Sequence, residues 1–194
     1  MEKPRHSSPP AELDSFTIFL HFGLMLFGFA AWATGEWHEC FKNLKQLGFP
    51  VHQMVSLGAV LFVSARLFHG FWGPDQDRFA AWLPYTSARL RSVFEDLRTL
   101  LTWKLPERPP RQGLAGLWET LGLVVFTWMS VTGLGVFLIL TAGYQAGSAL
   151  QMMKELHKYA ADLVPVFLAV HVSAVIVHAL AGDHRWRKMF FLQD

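Results

Sequence analysis

A single cysteine, Cys40, in a chain of 194 residues excludes an internal disulfide, a cysteine-ligated iron–sulfur cluster and the C-x-x-C-H attachment of a covalent haem. Charge is scarce as well, at 16% of the chain. It is missing from four long runs, Phe16–Gly35, Val51–Trp72, Thr120–Ala142 and Leu163–Gly182, which hold one charged residue between them, Arg66. Those runs also lack the carboxylate or thiolate ligands that a metal ion held in lipid normally takes beside histidine. The net charge is only +2 and no recognition motif accompanies it, so nucleic acid is excluded as a partner.

What is present is apolar surface. The chain is 52% hydrophobic with a mean hydropathy of +0.27, and each run matches the roughly 20 residues a helix needs to cross a bilayer. The reading is an all-α integral membrane four-helix bundle, one membrane domain over residues 1–194, with spans at about 16–35, 51–72, 117–142 and 157–182. The first run is too long for a signal h-region and is expected to stay as a helix. Twelve Lys/Arg lie before the first span, between the second and third, and after the fourth; four (Lys42, Lys45, Lys154, Lys158) lie in the two opposite loops. That asymmetry puts both termini in the cytoplasm of a multi-pass protein of the bacterial inner membrane.

Nine histidines sort by depth. His6 and His184 fall in tails and His38 in a loop, where a solvated imidazole needs no explanation. His157 and His171 are fourteen residues apart on one helix, which at about 1.5 Å and 100° per residue means roughly 21 Å of rise on one face. An unpartnered imidazole is costly in hydrocarbon, so each depth needs an acceptor for a ring nitrogen. His52 opens the second span at the outer depth of His157. His21 lies level with His171, and so a second pair forms inside.

Two histidine pairs from facing helices are what two non-covalent, bis-His b-type haems require, and such an iron has no open position, which suits electron transfer. Gly28 and Gly35 follow His21 at seven-residue steps, and Ala160, Ala161 and Ala174 lie by the His157–His171 stripe; these open space for a macrocycle or merely let helices approach. Arg66, fourteen residues after His52, is placed to meet a haem propionate, against the plainer reading of a side chain reaching the interface. His69 turns about 100° off that stripe. His69 and His178 are read as structural or interfacial residues with a possible contact to a quinone or a propionate. The third span has no histidine and reads as scaffold, with Gly133 and Gly135 as close-contact positions.

The inner loop 73–113 carries Leu90, Val93, Phe94, Leu97, Leu100 and Leu101 at helical spacing, with Arg89, Arg91, Glu95, Asp96 and Arg98 opposite. This predicts an amphipathic interfacial helix lying on membrane lipids.

The stretches VHQMVSLG (51–58), ARLFHGFWGP (65–74) with RFAAW (78–82), HKYAADLVPVFLAVHVSA (157–174) and WRKMF (186–190) resemble the bacterial cytochrome b561 family, which includes the b-type cytochrome subunits of nickel–iron hydrogenases and thiosulfate reductases. The resemblance covers most of the chain and departs from the family at Leu20 and Phe22, where Arg and Trp often flank the first-helix histidine, and at Lys158, where an acidic residue is common. It implies four helices, two b haems ligated by His21, His52, His157 and His171, and electron exchange with the quinone pool. Three functions follow: an electron-carrying subunit with a periplasmic or membrane-anchored redox partner; a stand-alone oxidoreductase, such as one passing electrons from superoxide to quinone; and a haem-free metal-binding or proton-relay membrane protein.

Overall fold

The structure, a computed structural model, describes residues 14–40, 45–144 and 147–192, without the side chains of 37–40 and 45–48. His6 and the side chains of His38 and Cys40 lie outside the described residues. Every regular element among the described residues is helical: α1 (Ser15–Cys40), α2 (Lys45–Trp72), the single turn α3 (Phe79–Trp82), α4 (Ser87–Leu101), α5 (Gly113–Thr141), α6 (Ser148–Leu180) and a closing 3₁₀ turn, Arg185–Phe190. Four of these are long and apolar enough to cross a membrane: Ser15–Glu36, Phe49–Trp72, Gly113–Thr141 and Ser148–Leu180. Large apolar side chains such as Leu61, Val131 and Val166 are exposed along them, the pattern of helices whose outer faces meet lipid rather than water.

Local chemistry sets the helix ends. Asp14 caps α1 by accepting from the Thr17 amide (2.8 Å) and the Thr17 hydroxyl (2.8 Å), which satisfies a donor that the first turn leaves open. The start of α5 borrows its cap from another helix: the Leu114 amide donates to Asp96 Oδ2 at 2.8 Å. Gly113 sits there at φ +57° with the Asp96 carboxylate where a Cβ would project, so only glycine fits. Asp96, assigned to the polar face of α4 by its spacing, is therefore buried; it is held by Arg108 and by the end of α5. The opposite stripe of α4, Leu90, Phe94, Leu97 and Leu101, is exposed. Pro165 lies midway between His157 and His171 in α6 and removes one rung of that helix's ladder, as transmembrane helices tolerate.

The packing makes two hairpins. α1 lies along α2 and α5 along α6; α2 meets α5, α4 rests on α5, and the 3₁₀ turn returns to α1. Glycine hollows receive phenylalanine rings at these seams: Gly23 faces Phe62, Gly58 faces Phe27, and Gly122 faces Phe167. Small residues let apolar helices approach closely where no water drives them together. By contrast α6 makes little close backbone approach to α1 or α2, although its histidines face them.

Candidate functional site

Across that loosely packed seam the histidines meet in the two pairs expected from depth. At one end, here called outer, His52 of α2 and His157 of α6 have ring centres 6.4 Å apart. At the other, inner end, His21 of α1 and His171 of α6 are 6.1 Å apart.

The outer pair is seated by a device that occurs once in each hairpin. Thr34 hydrogen-bonds back along α1 to the Ala30 carbonyl (2.7 Å), which turns its lone pairs toward His52 Nδ1, 3.3 Å away; the same nitrogen is 2.8 Å from the Ala31 carbonyl. Thr132 does likewise on α5, donating to the Trp128 carbonyl (2.8 Å) and standing 3.0 Å from His157 Nδ1. The Ala31 carbonyl favours a proton on His52 Nδ1 and the back-bonded Thr132 hydroxyl favours one on His157 Nδ1; in that tautomer Nε2 is the nitrogen that can bind a metal, with Ser56 Oγ 3.5 Å from that of His52. The next residue in each case is glycine. A Cβ on Gly35 would stand 3.3 Å from His52 Cε1, and one on Gly133 would stand 3.0 Å from His157 Cε1. Two Thr-Gly dipeptides, 34–35 and 132–133, thus seat one imidazole each. Sequence reading took α5 for scaffold alone; the repeated dipeptide, each on the helix before a histidine-bearing one, was the available signal. Gly28 instead faces Phe126, and Gly135 faces Met153.

The inner pair has no such seat. His171 stacks on Phe167 (5.7 Å, 8°), which stacks on Trp118 (5.4 Å, 6°). His21 Nδ1 is buried and has no hydrogen-bond partner.

Below the inner pair lies an ionic network that joins four parts of the chain. Arg66 Nη2 bonds Glu119 Oε1 at 3.0 Å, Arg111 Nε bonds Glu119 Oε2 at 3.2 Å, and Arg111 Nη1 bonds Asp77 Oδ1 at 2.5 Å. Both guanidinium groups lie by the Trp82 ring, at 5.4 and 5.6 Å from its centre, and the Trp82 indole donates to the Asp77 carbonyl. Arg66 thus has Glu119 as its partner in the protein, while its Nη1 and the Nη2 of Arg111 are buried with no partner. Arg111 holds a left-handed backbone, φ +60°, which costs a non-glycine residue about 1–2 kcal/mol. Its two carboxylate partners keep it there. From the sequence Arg111 was one of the basic residues marking topology, and Glu119 was given no role.

His69 faces away from the His52 stripe, as its spacing predicts. It is buried, with Nε2 3.4 Å from both Thr17 Oγ1 and Asp14 Oδ2. His178 is half-buried near the end of α6, its Nδ1 3.9 Å from Asp183. Asp183 in turn binds Arg185, whose pairing holds that carboxyl below the usual carboxylate range.

Two imidazoles bound end-on through Nε2 to one metal ion, with bonds of about 2 Å, have ring centres roughly 6 Å apart. Both observed pairs meet that separation, and the residues present fit an iron between each pair.

A profile of the family described as prokaryotic cytochrome b561 matches residues 12–192. No curated protein matches the chain, and no solved structure does.

Proposed function

Because the chain belongs to the prokaryotic cytochrome b561 family and is a multi-pass integral membrane protein, we propose that it is a dihaem b-type cytochrome. It carries electrons across the bacterial inner membrane between the quinone pool and a redox partner at the outer face. The observation that carries this reading is the pair of ring separations, 6.4 and 6.1 Å, at two levels of one seam.

His52 and His157 hold the outer haem and His21 and His171 the inner one. Arg66 Nη1 and Arg111 Nη2, which have no acceptor among the described residues, hold propionates by charge-assisted hydrogen bonds. Bound between two histidines, each haem supplies reversible one-electron chemistry with no open position for a small ligand. The protein's part is to fix the rings. The Thr34 and Thr132 hydroxyls and the Ala31 carbonyl hold the outer Nδ1 protons, while Phe167, itself stacked on Trp118, stacks on His171 and holds the plane of its ring. The chain is a single membrane domain with both termini in the cytoplasm, by the placement of its Lys and Arg, and His178 is placed for a quinone near the membrane edge. The exposed apolar stripe of α4 lies on lipid, with its basic residues toward headgroups.

The test is a dithionite-reduced minus oxidised spectrum of the purified protein with haem counted per chain. Two b haems and no shift with carbon monoxide are expected, and His52→Ala and His157→Ala should each lose one haem. A colourless protein, or two haems retained in both variants, would overturn the assignment.

A further inference from the structure

Beside the ionic network three ionisable groups converge from separate elements: Asp14, which caps α1, and Asp77, in the loop after α2, lie outside the candidate spans, and His69 lies in the last turn of α2 at the inner end of the second span. One ligand atom of each lies within 4.8 Å of the other two. His69 Nε2 is 3.4 Å from Asp14 Oδ2 and 4.0 Å from Asp77 Oδ2. Asp77 is 2% exposed, and although Arg111 satisfies its Oδ1, its Oδ2 is buried with no hydrogen-bond partner among the described residues. Asp14 Oδ2 already accepts from Thr17.

A bare carboxylate oxygen, buried and facing a second carboxylate, is costly. A proton on Asp77 Oδ2 removes the cost, because it turns an acceptor with no donor into a donor facing Asp14. Two carboxyl groups at this range do not both ionise freely, so the pair binds a proton more readily than a lone carboxylate does. The two acids also diverge. Burial, and then the neighbouring Asp14, push the Asp77 carboxyl up against the opposing pull of Arg111. Burial pushes Asp14 up too, but hydrogen bonds from the Asp77 carboxyl, the Thr17 amide and hydroxyl and His69 outweigh it and leave Asp14 well below the usual range.

We propose that Asp14, Asp77 and His69 form a proton-binding site that takes up one proton when an electron reaches the inner histidine pair and releases it when the electron leaves. This rests on the dihaem reading above. The connection runs through a chain of ion pairs. Asp77 binds Arg111, Arg111 binds Glu119, and Glu119 binds Arg66, while Thr17, which touches both Asp14 and His69, is one helical turn from His21. The charged groups facing the site are thus Arg111 directly and Glu119 and Arg66 beyond it. An added electron at the inner pair makes the local field more negative and so favours protonation of the acids. One electron from a quinol or an electrode and one proton from the adjoining water enter together, and no other reactant is needed. The outer pair has no ionisable cluster among the described residues and serves as the internal control.

The experiment is spectropotentiometry of the full haem-loaded chain between about pH 6 and 9, a window in which ordinary carboxyls do not titrate. At a fixed potential, each tenfold fall in proton concentration should lower the reduced-to-oxidised ratio at the inner haem by up to tenfold, and at the outer haem by less than twofold. Asp77→Asn and Asp14→Asn should each bring the inner response below twofold. Asp14→Asn keeps the α1 cap and the Asp77–Arg111 pair, so it decides the matter if Asp77→Asn fails to fold. A reduced-minus-oxidised infrared spectrum should show a protonated carboxyl stretch gained on reduction, sensitive to D2O and absent from the variants. An inner response that is missing, or that survives both substitutions, overturns the proposal. A chain that binds no haem overturns the dihaem reading instead. The proton site is then read in the haem-free chain, where a carboxyl stretch that grows as pH falls from about 9 to 6 and is lost in Asp77→Asn supports the site and its absence overturns it.

Discussion

The outer and inner histidine pairs have nearly the same ring separation, 6.4 and 6.1 Å, and opposite surroundings. The outer rings are fixed by groups that belong to the helices themselves: a threonine bonded back to its own helix, a backbone carbonyl, and a glycine that makes room. None of these contacts involves a charged group. The inner rings have an aromatic stack on one side and an unpartnered nitrogen on the other, with Arg66, Arg111, Glu119, Asp77 and Asp14 beneath them. Geometry alone holds one site in place, whereas the other lies in a field set by charges from α1, α2, α5 and two loops. The first is built to stay constant and the second to respond.

The comparison is broken most severely at Glu119, the one carboxylate shared by both arginines. Glu119→Gln leaves two guanidinium groups near each other with Asp77 as their only close acid. Removing one partner of a buried ion pair costs about 3–5 kcal/mol, and Glu119, with its side chain 36% exposed, belongs at the low end. The expected outcome is a lower melting temperature with loss of the inner haem before the outer one, followed by absorbance during thermal unfolding. If both haems leave together, the two ends are one cooperative unit and the contrast between them does not extend to stability.

A smaller effect separates the two halves of the outer seat. Thr132→Val removes the hydroxyl 3.0 Å from His157 Nδ1 and leaves that ring the Met129 carbonyl, whereas Thr34→Val removes a more distant hydroxyl, 3.3 Å from His52 Nδ1, and leaves that ring the Ala31 carbonyl at 2.8 Å. An Nδ1–H bonded to a good acceptor makes the ligand more electron-rich, so losing the acceptor should raise the outer midpoint potential. For Thr132→Val the rise should approach a tenfold change in the oxidised-to-reduced ratio, or about 59 mV for one electron. Thr34→Val should give a clear fraction of that, and neither variant should move the inner haem. Equal shifts from both would show that the hydroxyls, and not the carbonyl, carry the interaction.

Helical spacing is a strong signal over long apolar stretches, and for that reason the four helices and the level pairing of His21 with His171 and of His52 with His157 were legible in the sequence. The surroundings of the pairs were not. Arg111 and Glu119 lie eight residues apart at the start of α5, and Asp77 lies in a loop after α2. Their meeting depends on how the hairpins dock, which no periodicity records. Asp96 was misplaced for a related reason: within α4 alone it belongs to the polar stripe, and only the approach of Gly113 gives it amide and guanidinium donors to satisfy. The Thr-Gly dipeptides were visible but too short to stand out without knowing that each precedes a histidine-bearing helix.

The gentlest test asks whether the inner end depends on charge alone or also on how α1 begins. Asp14 is both a helix cap and a member of the acid pair, and two substitutions separate these roles. Asparagine keeps the cap and removes the charge; alanine removes both, at a further cost of about 1 kcal/mol. The Asp14 carboxyl is held below its ordinary 3.8 in the folded chain, so its charge contributes stability that is fully present above the unfolded value and is lost as pH falls through the folded one. Wild type should therefore exceed Asp14→Asn in melting temperature at neutral pH, with the gap closing only in strong acid, while Asp14→Ala stays below Asp14→Asn at every pH. An Asp14→Asn variant no more stable than Asp14→Ala at neutral pH would mean that the cap acts through the charge, and the inner end would then be electrostatic down to its first helical turn.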